Sequence, residues 1–215
     1  MKTSDFMDKL MKYGTDKYGL EYEGWVIFGA RGITTENNDD ISSNNDDINE
    51  YNDALYLIRS VGGKPEYKSY VCTIDPGLYW LQHPMNVNGT ARIAQGIYKY
   101  KVGIHRGHQA LTQYSKVTVN RYEPHSSDKP WFQWKDEPIA GKQTDFLAVD
   151  IHAKSSTSKF VDKASAGCTV INSTWTDPPW KDFFSTVETY LATEHKPYIC
   201  YCVLDQDTAI SLIQS

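Results

Sequence analysis

The sequence predicts a mainly-β, α+β fold, and three observations carry that prediction. Short strand-like runs alternate with Gly, Pro and Asn breaks along most of the 215 residues. The aromatic content, 13% and led by fifteen Tyr and six Trp, suits sheets and grooves better than a helical bundle. Only two segments show clear helical spacing, one near each end. With 40% hydrophobic residues, a formal charge of −5 and no low-complexity linker, the chain reads as a single domain over residues 1–215.

Residues 4–13 set Phe6, Leu10 and Met11 at helical spacing behind a Ser4 cap, predicting a short N-terminal helix that lies on the domain as a lid. Residues 25–29 read as the first strand. Residues 35–53 then hold seven acids and no Lys or Arg, with Asn-Asn-Asp-Asp-Ile occurring at 37–41 and again at 44–48. An EF-hand loop needs Gly at its sixth position and Glu at its twelfth, and neither register supplies both. Ile41, Ile48 and Tyr51 are too few to offset the ordering of such a segment, so an acidic surface loop with little regular structure, apart from any site, is expected. Further strands are expected at 55–61, 67–74, 78–82, 96–102, 116–121, 146–151 and 198–204. One C-terminal amphipathic helix is expected near Pro178–Thr193, with Asp177 as cap, Pro178 and Pro179 in its first turn, and Trp180, Phe183, Phe184, Val187 and Leu191 on one face.

Outside 35–53 there remain 20 acids against 22 bases, so no basic surplus points to nucleic acid as a partner. No run approaches the ~18 apolar residues of a membrane span, and membrane insertion is not expected. Residues 1–21 lack the apolar core of a secretory signal; no signal peptide is read, and synthesis in the cytoplasm is expected. Four cysteines without a CxxC pair suggest neither a zinc knuckle nor a disulfide framework, and Cys200 and Cys202 read as buried structural thiols.

Cys168 differs from the other thiols. Ser165-Ala166-Gly167 lets the backbone turn tightly before it and brings amide N–H groups near an incoming carbonyl. A thiol nucleophile needs a base, and His152 lies sixteen positions upstream at the end of an apolar run. Asp150, two residues before His152, is either an orienting group or a solvated one. His105 and His108, with Asp150 or His152, offer zinc-ligand types, but no HExxH motif is present, and neither a metal nor another cofactor is expected. Trp131, Trp134, Trp175 and Trp180 suit either a groove or the core.

Ile151-His152, a dozen intervening residues and Ser165-Ala166-Gly167-Cys168-Thr169-Val170 resemble the L,D-transpeptidase (YkuD-type) signature, in which Ile-His-Gly precedes Ser/Thr-x-Gly-Cys and a hydrophobic residue. Upstream, Ala94-Gln95-Gly96-Ile97-Tyr98-Lys99-Tyr100 is similar to that family's Thr-Pro-x-Gly-x-Tyr/Phe segment. The resemblance covers about residues 90–171, and Asp75-Pro76-Gly77 and Gly103-Ile104-His105-Arg106-Gly107 resemble a phage-associated branch carrying Ser-Ala-Gly-Cys. It implies an L,D-transpeptidase-like β-sandwich or barrel, Cys168 as nucleophile, His152 as base, a backbone carbonyl near Ala153 orienting the imidazole, and the N–H groups of Gly167 and Cys168 as an oxyanion site. Ser165, Gly96, Tyr98 and His105 would meet the substrate. That substrate would be the peptide stem of peptidoglycan, acylating the thiol before transfer to an amine or water. The phage branch implies virion proteins as partners, and a virion-associated protein or one released to the cell wall. Departures are Ala166 and Ala153 in place of the usual residues, and Val170 and Ile171 where an Arg usually follows. The missing Arg removes a bidentate carboxylate contact. These departures favour the opposing class, a catalytically inactive structural or virion protein that keeps the fold.

Overall fold

The computed structural model describes residues 1–124 and 139–215, so Trp131 and Trp134 lie outside the described residues. Eight strands close a barrel in the order β1 (Val26–Ala30), β13 (Ile199–Leu204), β7 (Gly96–His105), β8 (His108–Gln113), β11 (Ile151–Lys154), β12 (Thr169–Thr174), β5 (Lys64–Thr73) and β4 (Asp53–Val61). The pairs β1–β13 and β11–β12 run parallel, and the remaining neighbours are antiparallel. A separate sheet takes the order β10 (Ile139–Asp145), β9 (Val117–Tyr122), β6 (Thr90–Ile93), and β2 (Ile33–Thr35) pairs with β3 (Ile41–Ser43).

Both faces of β1 and β4 are buried, which is why these segments read as nearly continuous apolar runs. One face sends Ile27, Leu55 and Leu57 into a core shared with Tyr201 and Val203. Against the other, Val26, Phe28, Tyr56 and Ile58 meet Phe6, Met7 and Leu10 of helix α1 (Thr3–Tyr18) and Ala209, Leu212 and Ile213 of α4 (Gln206–Gln214). The N-terminal helix thus covers the barrel, but it starts behind Lys2 rather than Ser4 and runs on to Gly19, whose φ of 64° ends it with amide bonds from Gly19 and Leu20 back to Thr15 and Gly14. Helix α3 (Pro178–Thr193) inserts its aromatic face, Trp180, Phe183 and Phe184, into the main core. Asp177 does not cap it by side chain; its carboxylate takes the Thr174 N–H at 3.0 Å.

Three expectations are corrected. Residues 78–82 form a short helix, α2 (Leu78–Gln82), instead of a strand. The apolar run at 146–151 becomes strand only at Ile151, because the N–H groups of Leu147 and Val149 both donate to the side-chain oxygen of Gln113, which replaces a ladder partner. The acidic stretch is not a detached excursion. Ile41 and Ile48 are buried, Ile48 against Leu81 and Tyr122. Asp46 pairs with Arg92 at 3.0 Å, and Asp53 accepts the N–H groups of Gly32 and Ile74 at 2.8 and 2.6 Å. Its countercharge comes from outside the segment, from Arg92 at Asp46 and from Lys2, which reaches Asp40 at 2.8 Å. Fully buried Arg31 reaches Asp75 at 2.8 Å, Asp205 at 2.7 Å and the carbonyl of Ile93 at 2.7 Å, while Arg92 grips both carboxylate oxygens of Asp75 at 2.7 and 3.0 Å. Among the described residues no helix is long and apolar enough to cross a membrane.

Because Ile48 is a buried anchor, Ile48→Ala should cost about 2–5 kcal/mol in denaturant unfolding. Excising residues 37–49 should lower the melting temperature by several degrees or more; an unchanged melting temperature would return this segment to the status of a passive loop.

Candidate active site

The parallel pairing of β11 and β12 sets the site. Ile151 lies opposite Thr169 and His152 opposite Val170, and the Thr169 N–H donates to the Asp150 carbonyl at 3.0 Å. Both strands therefore begin at one edge of the barrel, and the residue just before β12, Cys168, falls beside the start of β11. The Asp150 N–H meets the Cys168 Sγ at 3.4 Å, and the thiol in turn faces the Ala148 carbonyl at 3.5 Å. Ala148 holds a φ of 53°, a strained value for a residue with a side chain, at the point where its carbonyl meets the sulfur.

The turn before Cys168 is locked from several sides. The Gly77 N–H donates to the Ser165 carbonyl at 2.8 Å, and the Trp80 indole donates to the Lys163 carbonyl at 3.1 Å. Gly167 has a φ of 125°, and a Cβ there would come 2.6 Å from the Ala91 carbonyl oxygen of β6, so both its backbone angle and the close approach require glycine. Fully buried Ser165 donates from Oγ to the Cys168 carbonyl at 2.8 Å and accepts the Gly167 N–H at 3.1 Å. Ser165, expected at the substrate, is thus committed to shaping the loop and stands outside the lining of the cavity beside Cys168. A second expectation changes: the Gly167 N–H, expected to face a substrate oxygen, is already engaged by Ser165 Oγ.

His152 is buried, and its Nδ1 lies 2.7 Å from the Ala153 carbonyl. A carbonyl only accepts, so Nδ1 carries the proton and Nε2 is left as a lone-pair acceptor; it is buried and has no hydrogen-bond partner. His105 stacks flat on His152, ring centres 4.4 Å apart, and its Nδ1 contacts Asp150 Oδ2 at 2.8 Å. A ring nitrogen of His105, a ring nitrogen of His152 and the Cys168 Sγ lie within 4.8 Å of one another. Burial pushes the His152 pKa down to about 4, against the opposing pull of the Ala153 bond. Burial also pushes the Cys168 thiol up to about 12, although the Asp150 N–H favours the thiolate. At neutral pH the pair is an uncharged imidazole beside an uncharged thiol.

These groups open into a cavity of about 630 Å³. Arg106, Arg121 and Lys163 line it, with Asp150 its one acidic lining residue among those described. Arg106 sits at the tip of the β7–β8 hairpin, where φ values of 48° and 85° at Arg106 and Gly107 match a two-residue turn of the kind that joins twisted strands. Arg121 is committed to Gln143 Oε1 and the Gly89 carbonyl. The sequence showed no Arg after the Cys motif; the fold brings these cations in from the β7–β8 turn, from β9 and from the loop between β11 and β12. Trp175 lines the cavity too, whereas Trp180 belongs to the core. His108 is exposed and stacks on Trp175 at 4.1 Å, apart from the group formed by His105, His152 and Cys168. Gly96 and Tyr98, expected at the substrate, stand outside the cavity lining: Tyr98 is a core residue whose hydroxyl donates to the Ala94 carbonyl at 2.8 Å, close over Gly96. Cys202 is buried and Cys200 half-buried; all four thiols are free.

Comparison with family models, with curated proteins and with solved structures finds no match to this chain.

A thiol held in the neutral form reacts slowly with alkylating agents, because the thiolate is the nucleophile. At neutral pH, iodoacetamide should modify Cys168 more slowly than a free cysteine, as read by mass mapping of the labelled peptides. Fast, selective labelling of Cys168 would show instead a preformed thiolate.

Proposed function

We propose that the chain is a cysteine acyltransferase or peptidase of the L,D-transpeptidase type, with an L,D-transpeptidase-like fold built on the barrel, acting on the peptide stem of peptidoglycan. The observation that carries the proposal is the bare Nε2 of His152, buried beside the Cys168 thiol and held in the proton-accepting tautomer by the Ala153 carbonyl. As Sγ bonds to the substrate carbonyl carbon, its proton passes to Nε2 and the carbonyl electron pair moves to oxygen, facing the Cys168 N–H. Collapse breaks the C–N bond, the amine leaves with the proton from Nε2, and a thioester remains. An amine or water then attacks the thioester, gives its proton to Nε2, and the sulfur departs and is reprotonated. His105, stacked on the base and anchored by Asp150, keeps the imidazole in its plane. Arg106 and Lys163 supply positive charge for carboxylates of the stem, the part played by the absent Arg of the motif.

The hairpin tip at residues 103–107, which carries the resemblance to a phage-associated branch, lies at this cavity and supports a phage-encoded cell-wall-modifying or lytic role, carried with virion proteins or released to the wall. The deeply buried neutral thiol favours a second reading, a catalytically silent virion component, and one experiment separates the two. Incubation with peptidoglycan and mass analysis of the fragments should show stem bonds cleaved or exchanged, and Cys168→Ala should abolish this while leaving thermal unfolding nearly unchanged. Unaltered peptidoglycan with the native chain would select the silent component.

The pH dependence has a definite sign. A base must be unprotonated, and burial lowers His152 from 6.5 to about 4, so kcat/KM should hold down to about pH 4 and fall below it. An acidic limb near the ordinary histidine value would assign the base to another group.

A further inference from the structure

We propose that His105, His152 and Cys168 form a three-ligand Zn²⁺ site at the floor of the cavity, and that its occupation silences the thiol. The ligand set is two imidazole nitrogens and one thiolate sulfur, the types that a borderline-soft divalent ion prefers, with the cavity supplying the open fourth position for water. Each imidazole already has the tautomer for this. Asp150 Oδ2 holds Nδ1 of His105 and the Ala153 carbonyl holds Nδ1 of His152, and such outer partners fix which nitrogen faces a metal. The Nε2 of His152 is buried with no hydrogen-bond partner, an orphaned acceptor that a cation would satisfy.

The distances are close to those required. The three ligand atoms lie within 4.8 Å of one another; Zn–N bonds of about 2.0 Å and Zn–S of about 2.3 Å place tetrahedral ligands roughly 3.3–3.7 Å apart, so a contraction of at most about 1.1–1.5 Å closes the site. Rotation of the thiol supplies part of it, and the two imidazoles, stacked at 12° to one another, must turn out of that stack so that both point at one ion. Binding is balanced without redox chemistry: the Sγ lone pair forms the Zn–S bond, the S–H proton leaves to solvent, and water completes the coordination. The thiolate and the Asp150 carboxylate offset the metal's charge, and the Asp150 N–H already directed at Sγ supports the bound sulfur. His108 is outside the set of donor atoms that lie together.

Metal binding stands on this geometry alone; the silencing rests on the proposed cysteine chemistry, because the ion ties up both Sγ and Nε2. The full chain titrated with Co²⁺ as a spectroscopic stand-in for Zn²⁺ should bind one equivalent, show a thiolate-to-cobalt charge-transfer band with tetrahedral ligand-field bands, and lose them when Zn²⁺ is added. Cys168→Ser should remove the charge-transfer band, Asp150→Asn should weaken binding about 10–100-fold, and Cys200→Ala should change nothing. Binding that is undiminished in Cys168→Ser, or a spectrum without the thiolate band, overturns the site. Zinc binding by a chain that leaves peptidoglycan unaltered keeps the site and removes the enzyme reading, whereas peptidoglycan activity indifferent to Zn²⁺ removes the silencing alone.

Discussion

Asp75, buried between two guanidinium groups, is the constraint on which the rest of this structure depends. Arg31 and Arg92 both bond it, and through them the cluster joins the end of β1, strand β6, the acidic segment at Asp46 and the start of α4 at Asp205. Although burial alone would raise a carboxyl, Arg92 and Arg31 hold Asp75 at about 2. Its contribution to stability is therefore present above the unfolded carboxylate value and lost as pH falls through about 2. Removing one member would leave a buried charge without its partner, typically a loss of about 3–5 kcal/mol. The same residue opens Asp75-Pro76-Gly77, where the Gly77 N–H donates to the Ser165 carbonyl and a Cβ would collide with the Asp162 carbonyl oxygen. Charge burial on one side of the turn thus fixes the Cys168 loop on the other.

Burial decides the chemistry of the site as well. A solvent-exposed Cys–His pair exchanges its proton before substrate arrives, whereas desolvation here disfavours both the thiolate and the imidazolium. In the proposed cysteine chemistry, the proton would move only when a carbonyl carbon accepts the sulfur, so that charge develops on the substrate oxygen. Such chemistry needs a base fixed in advance, and the Ala153 carbonyl and the stacked ring of His105 hold the His152 imidazole in one orientation.

What the sequence made legible was local. The aromatic face of α3 and the apolar strands of β1, β4 and β13 follow directly from residue spacing, since each is decided by which side chains can be buried together. His152 and Cys168 were legible as a motif, and only the parallel register of β11 and β12 explains why sixteen residues of separation end side by side. The acidic segment was misread because its countercharges, Lys2 and Arg92, lie outside it in sequence. Tyr98 looked like a substrate residue because a motif position does not reveal that its hydroxyl is taken by a backbone carbonyl. Arg106 was visible only as part of the 103–107 motif and Lys163 carried no signal, since their place at the cavity follows from a hairpin tip and a loop anchor rather than from neighbours in sequence.

The central claim is that Cys168 takes an acyl group from a peptide with His152 as its base. Intact-mass measurement of the protein rapidly quenched in acid after mixing with a peptidoglycan stem tetrapeptide tests it most directly. The predicted result is a hydroxylamine-labile adduct of the acyl fragment's mass, mapped to the peptide containing Cys168 and absent from Cys168→Ala. An unmodified Cys168 under conditions in which the peptide is turned over would contradict it.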